Sequence, residues 1–187
     1  MNVKLFKNKK PMTPDYNIIF SEPSEKDKIK KARNRLILKF LVMTVTIIIL
    51  LTFVGGIFIC HDNNMHPSVK DGDLVITYKL GGYYFGDIVL YEHDGKKYFG
   101  RVTAVAGDTI EIFETNGYSV NGTIPYETVY YTTERAENST ITYPYTVKDG
   151  EVFIMNDLRD NTNDSRTFGG VDKLYGKVVL LLRRRGF

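Results

Sequence analysis

Residues 40–60, FLVMTVTIIILLTFVGGIFIC, run for 21 positions without a charged side chain, and nothing else in the chain limits its folding so strongly. A helix rising about 1.5 Å per residue crosses the roughly 30 Å hydrocarbon core of a bilayer in about 20 residues. No face of this run is polar, so a helix built from it has no side to offer to water. The run predicts one membrane span. It is also longer than the core of a cleaved leader, and Phe58-Ile59-Cys60-His61 offers no small-residue cleavage site, so the span is expected to stay as an anchor. Cys60 follows the bulky Ile59 and reads as a thiol at the membrane boundary. As the one cysteine it closes no internal disulfide, so whatever follows the anchor must be held by its own core.

Charge gives the anchor a direction. The net +3 conceals eleven Lys and Arg against four acids in residues 1–39, leaving the remainder acidic. A basic leader alone could suit nucleic acid, but the apolar run behind it makes the membrane the counterpart, and no nucleic acid is expected. Lys26, Lys28, Lys30, Lys31, Arg33, Arg35 and Lys39 precede the run, whereas only Lys70 and Lys79 follow within twenty residues. Basic flanks stay cytoplasmic. Three segments result: a basic cytoplasmic tail and helix start (1–39), a transmembrane anchor (40–60) and an extracellular domain (61–187).

Beyond the anchor the texture changes to short apolar runs broken by glycine. Residues 74–78, 87–91, 98–105, 109–113, 151–155 and 177–182 read as strands, separated by turns such as Asp94-Gly95, Gly107-Asp108 and Asn121-Gly122. The domain is therefore mostly β. Residues 114–147 are polar and tyrosine-rich, and fit either a small subdomain or long hairpins. His61, His66 and His93 have no ligand-like spacing with carboxylates or the thiol, so neither metal nor cofactor is expected.

Ordered blocks of this domain resemble the type I signal peptidases, membrane-bound serine proteases that remove leaders from exported proteins. Asn64-Met65-His66-Pro67-Ser68-Val69 with Asp71-Gly72-Asp73 is similar to the family's S-M-x-P-T-L-x-x-G-D box. Gly86-Asp87-Ile88-Val89 resembles its G-D-I-V strand, and Arg101-Val102 through Gly107-Asp108 its K-R-V-x-x-x-P-G-D strand. Val120-Asn121-Gly122 matches a V-N-G turn. Asn156-Asp157-Leu158-Arg159 through Asp164-Ser165-Arg166 resembles G-D-N-R-x-x-S-x-D-S-R, and Gly176-Lys177-Val178 the closing strand. Each match is short, but their order across the whole domain behind one anchor is specific. The resemblance implies a signal peptidase I-like β-fold.

It also implies where the chemistry would lie. The family's nucleophilic serine falls on Asn64, and its lysine, kept neutral by burial, falls on Gly100. A hydroxyl that helps hold the oxyanion in some members falls on Asp62. With these three positions changed, the chain is expected to be an inactive homologue. Asp157, Arg159, Asp164 and Arg166 match charged positions of a turn locked by ion pairs, and Thr162 stands where the family has a serine touching the lysine.

A family that binds its substrate as an added strand implies a groove here, expected to involve Asn64, Met65, His66, Tyr98, Phe99 and Gly100. Gly100 would remove bulk from its floor. The chain is similar to the pilus-associated signal-peptidase-like proteins of streptococci, which implies binding of an exported protein such as a pilin subunit, beside a sortase, during pilus polymerisation. Two alternatives stand next to it: an active signal peptidase with atypical residues, and a surface scaffold that recruits sortase without using the groove.

Overall fold

The computed structural model describes residues 24–127 and 131–183. The proline-bearing part of the expected cytoplasmic tail, residues 1–23, lies outside the described residues. Ser24 starts the first helix: its hydroxyl donates to the Asp27 carboxylate at 2.8 Å and accepts from the Asp27 amide at 3.3 Å. Such a cap satisfies an amide that a helix N-terminus leaves free. Helix α1 (Glu25–Ile49) has no buried residue and continues through a wider, π-type turn, Leu50–Val54. Glu25–Val54 is long and apolar enough to cross a membrane, as an anchor of this kind requires.

The helix does not reach Cys60 as the expected span of residues 40–60 requires. At Gly55 the backbone turns extended (φ −151°, ψ −173°), and strand β1 (Gly55–Ile59) replaces the last turn of helix. Sterics favour this exit. A Cβ at Gly55 would lie 2.6 Å from the Thr77 carbonyl oxygen, and one at Gly56 would run into the Phe58 ring. Lys79 then closes the helix end, donating from its amide to Val54 O and from Nζ to Thr52 O, both at 2.8 Å.

Contacts divide the chain into residues up to Val45 and residues from Thr46 onward. Among the described residues the second unit holds the strands: β1, then β2 (Leu74–Tyr78), β3 (Ile88–His93), β4 (Lys96–Val105), β5 (Thr109–Ile112), β6 (Tyr118–Val120), β7 (Tyr145–Thr146), β8 (Val152–Met155) and β9 (Leu174–Leu182). Six form one sheet in the order β1-β2-β9-β3-β4-β8, and three form a second in the order β6-β5-β7. A short helix, α2 (Ser165–Phe168), follows β8. The fold class is mostly β.

Local chemistry explains the tightest turn. Strands β3 and β4 pair from Ile88↔Arg101 to His93↔Lys96, leaving two residues to connect them, Asp94 (φ 49°) and Gly95 (φ 72°). Positive φ at both positions matches the twist of a two-residue hairpin, which is why Asp-Gly serves here. Among the described residues of 114–147 the strands are β6 and β7, and Ile110, Ile112, Tyr118 and Val147 pack with Ala104, Phe153 and Met155 beneath the small sheet. The large sheet has two further cores. Cys60, Met65, Val69, Val75, Leu90 and Phe99 form one, and Val89, Tyr91, Val102, Val152, Ile154 and Val171 the other. Strand β4 separates them, sending alternate side chains to opposite sides.

Candidate peptide-binding groove

Strand β4 is only half covered. It pairs with β3 along residues 96–101, but β8 joins its other edge only from Arg101↔Met155 onward. Residues 96–100 therefore present one edge without a strand partner among the described residues. Strand β1 ends the same sheet and, among the described residues, pairs with β2 alone. Both free edges border one open cavity of about 430 Å³. Ile57, Phe58 and Ile59 form one wall, His61 and Asp62 extend it, and Leu90, Lys97 and Phe99 close the other side.

Of the six residues expected in a groove, only Phe99 lines this cavity. Met65 is fully buried in the core beneath, next to Phe99 and Cys60. Tyr98 packs against the other core, its ring 5.8 Å from that of Tyr91. Gly100 faces the same way: a Cβ there would collide with the Ile154 side chain and stand 3.1 Å from the Tyr91 ring. The expected open floor is thus filled by Ile154, which is completely buried. His66 is half-buried outside the lining.

Asn64 is tied to the loop after β8. Its side-chain oxygen accepts from Asn161 Nδ2 at 2.7 Å, its carbonyl accepts from the Leu158 amide at 2.9 Å, and its own amide donates to Asp62 Oδ1 at 3.0 Å. Asp62 thus caps the turn that carries Asn64. Thr162 is half-buried one residue beyond Asn161, and its carbonyl accepts from the Asp164 amide at 2.8 Å.

The charged box is interior. Arg101 grips Asp157 through Nε (2.7 Å) and Nη2 (2.6 Å), donates to Gly86 O at 2.8 Å, and touches Ser68 Oγ at 3.1 Å. The Asp157 carboxylate raises the Arg101 pKa further above its ordinary value. Arg159 pairs with Glu127 at 2.7 Å. Arg166 binds Asp164 at 2.8 Å and also donates to the carbonyls of Arg159, Asn161 and Glu134. Both members of that last pair are fully buried. A buried fork with every neighbour an acceptor makes a rigid staple. These bonds hold the loop that positions Asn64.

The cavity residues missed in the sequence are Ile57, Phe58 and Leu90. Ile57 and Phe58 follow a glycine pair inside the apolar run and read there as membrane helix, while Leu90 lies in an expected strand whose inward face is not assigned.

Comparison with known proteins matches the same region. The family model for signal peptidase, peptidase S26, fits residues 33–182. A signal peptidase IB of Staphylococcus aureus (strain Mu50) is 30% identical over 166 residues, covering 73% of this chain and 85% of that protein. A signal peptidase I of Bacillus licheniformis is 28% identical over 150 residues, covering 72% and 80%. A solved signal peptidase I from Enterococcus faecalis V583 is 20% identical with a TM-score of 0.44, covering 54% of this chain and all of that one. The relatives' names overturn the expectation of a chain without enzymatic activity: they are peptidases along most of its length, and that expectation rested on the side chains at 62, 64 and 100 alone.

Proposed function

Because the chain belongs to the peptidase S26 signal peptidase family, we propose that it captures an exported polypeptide as an added strand between β1 and the 96–100 edge of β4. The observation that carries this is the pair of edges, without a strand partner among the described residues, on one cavity. Main-chain groups of the two edges supply hydrogen bonds whatever the sequence bound, and the cavity side chains choose among sequences. The captured chain is a pilin subunit held for polymerisation beside a sortase; the likeness of the Asn64 and Gly100 positions to the pilus-associated branch supports this. The basic excess before the helix supports a cytoplasmic N-terminus with the groove outside. Direct chain continuity from Val54 into β1 ties an edge of the groove to the end of the apolar helix.

A photo-crosslinking residue at Ile59 or Lys96 of the full chain in membranes tests the capture. Crosslinks to pilin from both positions, and none from the exposed Tyr126, are expected. Crosslinks from Tyr126 alone, to sortase or any other protein, would place binding elsewhere and refute it. The family match favours a second use of the same groove: hydrolysis of the captured chain, with a nucleophile and base other than a serine at 64 and a lysine at 100. Incubation with a leader-bearing precursor, followed by mass spectrometry of the products, distinguishes capture alone from capture with cutting.

A further inference from the structure

Lys97 gives the groove a charge that its apolar walls do not. It lies two residues from Phe99 on the cavity side of β4, and its ammonium stands 4.0 Å from the centre of the Tyr175 ring and 5.3 Å from that of Phe58. Those rings are themselves held. Tyr175 donates its hydroxyl to Glu92 at 2.6 Å, and Phe58 packs against the core under the groove.

The nearby acids are already engaged. Glu92 is directly across the ladder from Lys97, yet its carboxylate takes the Tyr175 hydroxyl and lies 3.5 Å from Lys173. Asp62, on the opposite wall, accepts from the Asn64 amide. Among the described residues Lys97 joins no ion pair. Its cation is steadied by two aromatic faces, which attract an ammonium without accepting its hydrogen bonds. The donors stay free for an incoming acceptor beside an apolar floor, where a charge-assisted bond is stronger than in open water.

Resting on the capture reading above, we infer that Lys97 makes this groove selective for an extended segment that carries an aspartate or glutamate at the position facing it. An added strand turns alternate side chains into the cavity, so one register places a carboxylate at Lys97 while the next inward residue meets the apolar wall of Leu90 and Phe99. A basic residue in that register meets like charge.

The test uses the full chain in lipid nanodiscs and fluorescent ten-residue peptides that differ only in Asp, Asn or Lys at one scanned position. At one position the wild-type chain is expected to hold the Asp peptide about three- to fivefold tighter than the Asn peptide, the size of one partly exposed ion pair. Lys97→Arg keeps the preference, Lys97→Met erases it while still binding the Asn peptide, and Lys97→Glu turns it toward the Lys peptide. Equal binding of Asp and Asn peptides at every position, or a preference that survives Lys97→Met, overturns the selectivity and leaves capture standing. No peptide bound at any position removes both.

Discussion

Replacing Gly100 by alanine asks which way position 100 faces. The new Cβ would overlap the Ile154 side chain and sit 3.1 Å from the Tyr91 ring, and Ile154 and Tyr91 are 0% and 1% exposed. Neither neighbour has room to retreat in a close-packed interior. Inserting a methyl group into such a core costs about 1–3 kcal/mol, which lowers the melting temperature of a domain this size by roughly 3–12 °C. Ile154→Ala alone leaves a cavity and costs about 2–5 kcal/mol. Combined, the two changes should compensate, because the methyl added at 100 enters space vacated at 154. The double variant is expected to be more stable than the sum of the single effects by about 1–2 kcal/mol. Thermal melting of the detergent-solubilised chain, followed by tyrosine fluorescence, reads all four members of the cycle. A neutral Gly100→Ala with additive behaviour would refute the reasoning, and would return glycine 100 to the groove floor.

The buried staple and the buried thiol give two more expectations. Arg166→Ala removes a fully buried guanidinium from Asp164 and three carbonyls, so a loss of about 3–5 kcal/mol is expected in the same melts. Arg166→Lys should recover only part of it, since an ammonium cannot reproduce the planar fork. Burial pushes the Cys60 thiol from an ordinary 9.0 up to about 11. The unfolded chain then loses that proton first, so stability present below about pH 9 is lost progressively as pH rises toward 11. The drop in melting temperature over that window should be smaller in Cys60→Ala than in the wild-type chain; an identical drop contradicts a buried thiol.

Most of the large sheet was legible because its strands alternate and its turns carry Asp-Gly or Gly-Asp. β2, residues 74–78, coincides with the expected run, and β3, β4, β5, β8 and β9 differ from theirs by one to three residues at an end. β1 was not legible. Five apolar residues continuing an apolar helix have no period of their own, and only the close approach of Gly55 to Thr77, about 75 Å of chain away in extended form, decides for strand. β6 and β7 were hidden by length: three and two residues are too few to show alternation. At the site, the family resemblance implies that the Asn64, Gly100 and Thr162 positions lie close together, and the structure ties Asn64 to Asn161, the residue before Thr162. What motif order could not give is the face on which a side chain lies. Gly100 and Phe99 are neighbours in sequence, yet they belong to opposite sides of β4, and it is Lys97 that shares the cavity with Phe99.

Hydrogen exchange of the full chain in nanodiscs, with and without a bound exported segment, tests the strand-addition account most directly. Exchange should slow at residues 55–59 and 96–100 together, because both edges gain main-chain partners from one inserted chain. Protection of only one edge, or of neither while another surface is protected, would contradict it.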